Sequence, residues 1–161
     1  MTKALSLFEL NSLVADVIDA TLSRSYWVEA ELSEARENRG HCYMELIEKN
    51  EGSNVPIARA SAKCWSNIWT LIKPAFIRIT GQEIRAGMKV MLQVHAQFHP
   101  QYGCSWIVDD INPEYTMGDM MRKRQEIIRQ LKAEGVFELQ KELRLPMFAQ
   151  RIAVISSETA A

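Results

Sequence analysis

Hydrophobic residues recur at helical spacing near the start of the chain and alternate with polar residues over most of the remaining length. Ser6 and Glu9 form the S-x-x-E pattern of a capping box, which marks the beginning of a helix. From there one apolar stripe recurs every three or four positions, at Leu10, Leu13, Val14, Val17, Ile18 and Leu22. The pattern predicts an N-terminal helix that ends near residue 23 and packs its stripe against another surface.

Alternation with a period of two predicts five β-strands further along the chain. They cover residues 27–32, 41–46, 55–63 and 88–98, and a last segment that ends at residue 111. In the third strand the small residues Ala58, Ala60 and Ala62 share one face. The polar residues 33–40 predict a loop between the first two strands. Residues 65–79 have helical spacing, and Pro74 either ends or kinks that helix.

Three strands, a helix and two strands come in the order of an OB-fold, a five-stranded barrel whose middle strands and loops hold oligonucleotides. A basic amphipathic helix is predicted over residues 120–134, with its capping pattern at residues 116–119. The apolar run RIAVIS at residues 151–156 is typical of a buried parallel strand. Because one such strand cannot bury itself, we expect the chain to be a piece of a longer protein.

The predicted fold class is therefore mainly β with helices. A five-stranded OB-fold barrel is preceded by an N-terminal helix and followed by a linker helix and one strand of a truncated α/β domain. The predicted domains are an N-terminal helix at residues 1–24, a nucleic-acid-binding barrel at 25–114, a linker helix at 115–150 and the start of another domain at 151–161.

Composition excludes several classes of protein. The apolar stretches are short and interrupted by charge, and no signal peptide is recognisable, so a cytoplasmic protein without membrane insertion is expected. Cys42, Cys64 and Cys104 are widely spaced and lack a neighbouring histidine cluster, which predicts reduced packing residues and no metal site. No phosphate-binding loop or paired catalytic acid is found, and no cofactor is expected.

Charge is distributed unevenly although the net charge is only −1. Residues 55–99 contain six Lys or Arg and one acid, whereas residues 100–119 contain four acids and no base. The first of these segments can form a local basic groove despite the neutral total.

Four short motifs agree in order and spacing with one family: WVEAELSE from residue 27, GHCYMEL from 40, LKAEGVF from 131 and RIAVISSETAA from 151. On these motifs the chain resembles the exodeoxyribonuclease VII large subunit over nearly its whole length. The resemblance implies an OB domain that binds single-stranded DNA, in an enzyme that hydrolyses single-stranded DNA to acid-soluble oligonucleotides and recruits small subunits. It also implies that the catalytic residues and the small-subunit site lie beyond residue 161, so this chain is expected to bind DNA and not to cut it.

Binding a single strand requires cations for the phosphates and flat aromatic faces for the bases. Tyr43 and His41 lie on the polar face of the second predicted strand, and Arg59 and Lys63 share a face of the third. Each has a simpler interpretation: an exposed strand tyrosine is a good β-former, and a histidine after a glycine is often a hydrogen-bonding residue. Arg59 and Lys63 can equally form an ordinary solvated face.

A second group of candidates lies in predicted loops and in the linker helix. Arg36 and Arg39 are expected in the loop between the first two strands, where neighbouring acids can cancel their charge, and Tyr102 in the last hairpin. Arg122 and Arg124 on the basic helix either extend a DNA path or belong to a solvated linker. Trp69 is expected in the core, and the sequence leaves the other tryptophans undecided.

Three functions remain open on these grounds. The leading one is a single-stranded-DNA-binding module of a nuclease. The alternatives are an RNA-binding OB module and an assembly domain whose N-terminal helix mediates self-association while nucleic acid contributes little.

Overall fold

Helices and strands cover most of the chain in a computed structural model, which describes residues 4–50, 52, 55–142, 147–148 and 153–156. In order they are α1 (Leu7–Thr21), β1 (Tyr26–Asn38), β2 (His41–Lys49), β3 (Pro56–Cys64), α2 (Ser66–Thr80), β4 (Lys89–His99), β5 (Gly103–Ile111), α3 (Pro113–Ala133) and α4 (Leu139–Glu142). The chain divides into two compact units, Met1–Met121 and Arg122–Ala161.

The five strands form a closed barrel in the order β1-β2-β3-β5-β4. β1 is long enough to pair with two neighbours, with β4 through its first half and with β2 through its second half. A short parallel pairing between β3 and β5, at Ala62–Trp106 and Lys63–Ile107, completes the closure. This topology confirms the predicted five-stranded OB-fold barrel.

The core lies inside the barrel, and α2 packs into it. Alternate residues of β2 and β4 point inward as predicted, so that Met44, Leu92 and Val94 are buried. Trp69 and Phe76 of α2 are buried in the same cluster. The helix therefore continues through Pro74 and contributes to the barrel core. The prediction that Trp69 is a core residue is confirmed.

The predicted loop at residues 33–40 is wrong, because β1 continues to Asn38 and the connection to β2 is only two residues long. A β-bulge between Leu32 and Glu34 shifts the pairing register. The inward positions are therefore Leu32 and then Ala35, three residues apart, which breaks the period of two. Alternation alone made this half of the strand look like a polar loop.

The N-terminal helix begins as predicted. Ser6 Oγ accepts from the Glu9 amide, and a Glu9 carboxylate oxygen accepts from the Ser6 amide at 2.6 Å. α1 lies against β4, and the Asn11 side chain donates to the Pro100 carbonyl at 2.7 Å. The apolar stripe is not covered, however: no residue of α1 is buried, and Val17 is 61% exposed.

The last long helix begins earlier than the predicted residue 120. Asn112 Oδ1 accepts from the amides of Glu114 and Tyr115, and Pro113 occupies the first helical position. The capping pattern expected at residues 116–119 is wrong, since Thr116 is buried inside the helix and donates to the Lys89 carbonyl.

The final predicted strand, residues 151–156, lies partly outside the described residues, and residues 153–156 form neither helix nor strand. The predicted domain boundaries stay predictions. Within the described residues, no helix is long and apolar enough to span a membrane.

Candidate functional site

Three of the candidate side chains are aligned across adjacent strands of the barrel. Arg36 on β1 is paired with Tyr43 on β2, and Tyr43 is paired with Lys63 on β3. Directly opposite residues on one face of a sheet have Cβ atoms about 5 Å apart. We call this alignment the β1–β3 row. It places one half-buried aromatic ring between two cations, along one wall of a shallow depression.

The bulge in β1 creates this row. Without the register shift between Leu32 and Glu34, Arg36 would not lie opposite Tyr43. The sequence pattern placed Arg36 in a loop and therefore concealed the alignment. The signal that could have revealed it is Gly40 between two alternating segments, since glycine is the usual second residue of a two-residue hairpin turn, although Arg39 is not a usual first residue.

Acidic residues lie next to the row and pair with some of its cations. Arg36 contacts Glu34 at 3.6 Å, and Arg59 contacts Glu45 at 3.6 Å. Exposed pairs of this kind contribute little free energy, so they release their cations readily to a phosphate. Lys63 forms no salt bridge with any residue in the described ranges. Lys63 can therefore bind an anion without breaking an existing salt bridge.

Arg59 lies on the same face of β3 as Lys63, with Ser61 between them, and it is opposite Ile47 on β2. Arg39 lies in the β1–β2 turn with φ of 51°, followed by Gly40 with φ of 82°. Two successive positive φ values are those of a type I′ turn. Arg39 is exposed at the tip of this hairpin, and Arg59 extends the basic face toward the other end of β3.

His41 has a structural hydrogen bond. Its Nδ1 accepts from the Ser66 amide at 3.0 Å, and its ring contacts Trp65 edge to face at 5.2 Å. Trp65 is the N-cap residue of α2 and supplies no side-chain cap of its own. The imidazole thus satisfies an amide at the start of α2 that would otherwise lack a partner. This geometry fits the simpler of the two interpretations, a hydrogen-bonding residue after a turn.

The tip of the hairpin is also fastened to α2 from the other side. The Lys73 ammonium of α2 donates to the Glu37 carboxylate of β1, and this hydrogen bond raises the pKa of Lys73. The β1–β2 turn is therefore held at both His41 and Glu37.

Tyr102 lies apart from the row, in the turn between β4 and β5. It is 69% exposed, and its ring packs against His99 with centroids 4.7 Å apart. Arg122 and Arg124 are exposed residues of α3 and belong to the second compact unit. Within the first compact unit, the structure thus groups Arg36, Tyr43 and Lys63, with Arg59 on the same face, and leaves Tyr102 in a different turn.

Two cysteines occupy the inner side of the strands that carry the row. Cys42 and Cys64 are paired across β2 and β3 and are buried. Burial raises the pKa of Cys42 to about 11 and that of Cys64 to about 12. Both thiols are therefore protonated at neutral pH and act as packing residues, whereas Cys104 is exposed.

One polar cluster was not evident from the sequence. His95 Nδ1 lies 2.9 Å from an Asp109 carboxylate oxygen, and Ser25 Oγ donates to the same carboxylate. These contacts link β4, β5 and the segment before β1. Since the three residues are far apart in sequence, only the strand register brings them together.

Comparisons with known proteins identify what this barrel resembles. A family model described as an OB-fold nucleic acid binding domain matches residues 5–112. The exodeoxyribonuclease 7 large subunit of Deinococcus radiodurans is 36% identical over 162 residues, which cover 98% of this chain and 38% of that protein. Large subunits from Xanthomonas euvesicatoria pv. vesicatoria and Stenotrophomonas maltophilia are 31% and 30% identical over 95% of this chain. The chain spans about a third of the length of these relatives. The resemblance seen in the sequence motifs is confirmed.

Proposed function

We propose that the barrel of this chain, which belongs to the family of OB-fold nucleic acid binding domains, binds single-stranded DNA along the β1–β3 row. The observation that supports this most directly is the cross-strand alignment of Arg36, Tyr43 and Lys63. It presents one aromatic face between two cations on the middle strands of the barrel, the surface that such folds use for oligonucleotides.

The alignment suits a single strand better than a duplex. A single strand exposes the faces of its bases, so that one base can stack on Tyr43 while neighbouring phosphates contact Arg36 and Lys63. Stacking on an aromatic side chain contributes about 1–3 kcal/mol per base, and it is tolerant of sequence because every base has a flat face. In a duplex the bases are stacked on each other, and only the phosphate contacts remain.

We infer further that the longer protein is an exodeoxyribonuclease that hydrolyses single-stranded DNA to acid-soluble oligonucleotides. The name of the relatives, which match nearly the whole of this chain, supports an exodeoxyribonuclease, and the single-stranded substrate and the products are what the resemblance of the sequence motifs implies. In this proposal residues 1–161 capture the strand and do not cleave it, and the catalytic residues lie in a part of the longer protein outside this sequence. A small subunit is the proposed partner of that other part, and a cytoplasmic location stays a prediction from the sequence.

A second candidate function is assembly, and the exposed stripe of α1 favours it. Leu13 and Val17 remain 51% and 61% exposed although the helix lies against β4. Contiguous exposed apolar surface often marks a protein–protein contact. In this alternative α1 pairs with another copy of the chain, and nucleic acid contributes little.

The test is fluorescence anisotropy with a labelled single strand of about 16 nucleotides, the upper site size of one OB fold. We expect binding that weakens as salt rises from about 50 to 200 mM, with much weaker binding of a duplex of equal length. An RNA strand of the same sequence serves as competitor, since an RNA-binding module would prefer it. Equal affinity for strand and duplex, or no binding even at low salt, would contradict the proposal. A stable dimer in sedimentation without DNA binding would favour the assembly alternative.

Tyr43 offers a matched pair of variants for the same assay. Tyr43→Phe keeps the flat ring and should retain the affinity, whereas Tyr43→Ala removes it and should weaken binding by about 1–3 kcal/mol. If both variants bind as tightly as the original protein, Tyr43 does not stack on a base.

A further inference from the structure

An apolar cavity of about 160 Å³ opens into the barrel at a place that α2 does not fill. Three of its inward-facing wall residues are alanines, Ala30, Ala58 and Ala60, whose small side chains leave the space open. The half-buried indole of Trp106 on β5 forms part of the wall. Every residue that lines the cavity belongs to the first compact unit.

We propose that this cavity receives one unstacked pyrimidine base of the strand that the barrel binds, an inference that rests on the proposed function. The size argues for a single six-membered ring, because an apolar protein cavity of about 150 Å³ accommodates benzene. A purine is a fused two-ring system and exceeds this volume, so part of it would protrude from the mouth. The indole of Trp106 supplies a flat aromatic surface, the feature on which unpaired bases stack.

The position of Arg59 connects the cavity to the basic face. Ala58 and Ala60 point into the cavity, and Arg59 between them in sequence points outward on the face that carries Lys63. A phosphate bound at Arg59 therefore lies beside the mouth, and the base attached to it is within reach of the cavity. The Arg59 salt bridge to Glu45 is 3.6 Å long and partly exposed, so exchange for a phosphate costs little.

The remaining polar groups at the mouth define the side from which the strand approaches. Glu29 and Glu48 also line the cavity. Glu29 accepts a hydrogen bond from the Tyr115 hydroxyl at 2.9 Å and is thereby held in place. Because both carboxylates repel phosphates, the backbone of the strand lies on the Arg59 side, and only the neutral base enters.

The experiment compares three labelled single strands of equal length and equal charge, one all thymine, one all adenine and one without bases. Ala60→Leu fills the cavity from inside the barrel, and Ala20→Leu makes the same chemical change on the exposed surface of α1 as a control. We expect Ala60→Leu to weaken binding of the thymine strand about tenfold, in the range of one lost stacking contact. The adenine strand should be weakened less, the baseless strand should be unaffected, and Ala20→Leu should bind like the original protein.

Ala58→Leu is a second variant in case the first does not fold, because Ala58 is exposed at the mouth and tolerates a larger side chain. Its effect on the thymine strand should match that of Ala60→Leu. A second readout is the tryptophan fluorescence of the protein, which the thymine strand should change in the original protein and not in a Trp106→Phe variant.

The outcomes separate this inference from the function on which it rests. If the original protein binds the thymine strand and both cavity-filling variants bind it equally well, the cavity holds no base, and DNA binding on the β1–β3 row is unaffected. Equal weakening of the thymine and baseless strands would also overturn the inference, since the loss would then concern the phosphates. If the original protein binds none of the strands, the proposed function and this inference both fail.

Discussion

Replacement of Lys63 by alanine tests the electrostatic part of the proposed interface. Lys63 ends the β1–β3 row and forms no salt bridge within the described ranges, so its removal leaves no acid unpaired. For single strands, log K falls with log salt with a slope of about −0.7 for each phosphate neutralised. Losing one contact should therefore flatten the slope by about 0.7.

That change in slope has a measurable consequence. Between about 50 and 200 mM the salt concentration rises about fourfold. The factor by which Lys63→Ala weakens binding should therefore be about 2.6 times larger at about 50 mM salt than at about 200 mM. The assay is anisotropy titration of a labelled single strand at several salt concentrations. Arg78→Ala removes one positive charge from the exposed surface of α2 and serves as the control. An unchanged slope for Lys63→Ala, or the same change for Arg78→Ala, would refute a direct phosphate contact at Lys63.

Three further predictions concern the cysteines, the N-terminal cap of α1 and the hydrogen bond at the start of α2. At neutral pH a thiol reagent should modify the exposed Cys104 rapidly. Burial raises the pKa values of Cys42 and Cys64, so these two thiols should react only when the protein unfolds. Rapid modification of all three would contradict the packing. The Ser6 amide donates a hydrogen bond that lowers the pKa of Glu9 below its usual value. The cap therefore stabilises α1 fully at a pH above the usual pKa, and this stabilisation is lost as the pH falls through the lowered pKa. The NMR shift of the Ser6 amide should change in that pH range, and a pH-independent shift would argue against the cap. His41→Ala should lower the free energy of unfolding in urea by about 0.5–2 kcal/mol, the usual cost of losing a cap, while DNA affinity changes little; a large loss of affinity at unchanged stability would make His41 a DNA contact instead.

Much of the barrel could be predicted from local patterns. Cys42, Met44 and Leu46 alternate strictly and are buried as expected, because one face of a strand must point into the core. The capping box at Ser6 and Glu9 identified the start of α1, since both hydrogen bonds are formed by residues close in sequence. Features that depend on residues close together in the chain could thus be predicted from the sequence.

Features that depend on partners distant in sequence were not. The bulge after Leu32 is a mismatch between two strands, and nothing in β1 alone shows that its pairing with β2 resumes at Glu34. The row at Tyr43 depends on that register. The start of α3 was missed for a different reason. Asn112 and Pro113 form a local cap signal, but Thr116 offered a second, competing cap signal four residues later.

The DNA-binding surface itself can be mapped on the protein by NMR. Backbone amide shifts of ¹⁵N-labelled protein would be recorded as an unlabelled thymine strand is added at low salt. We predict that the largest changes occur at Arg36, Tyr43 and Lys63 and their neighbours on the outer face of β1, β2 and β3. Changes confined to α1, or changes spread evenly over the exposed surface, would contradict a binding site on the β1–β3 row.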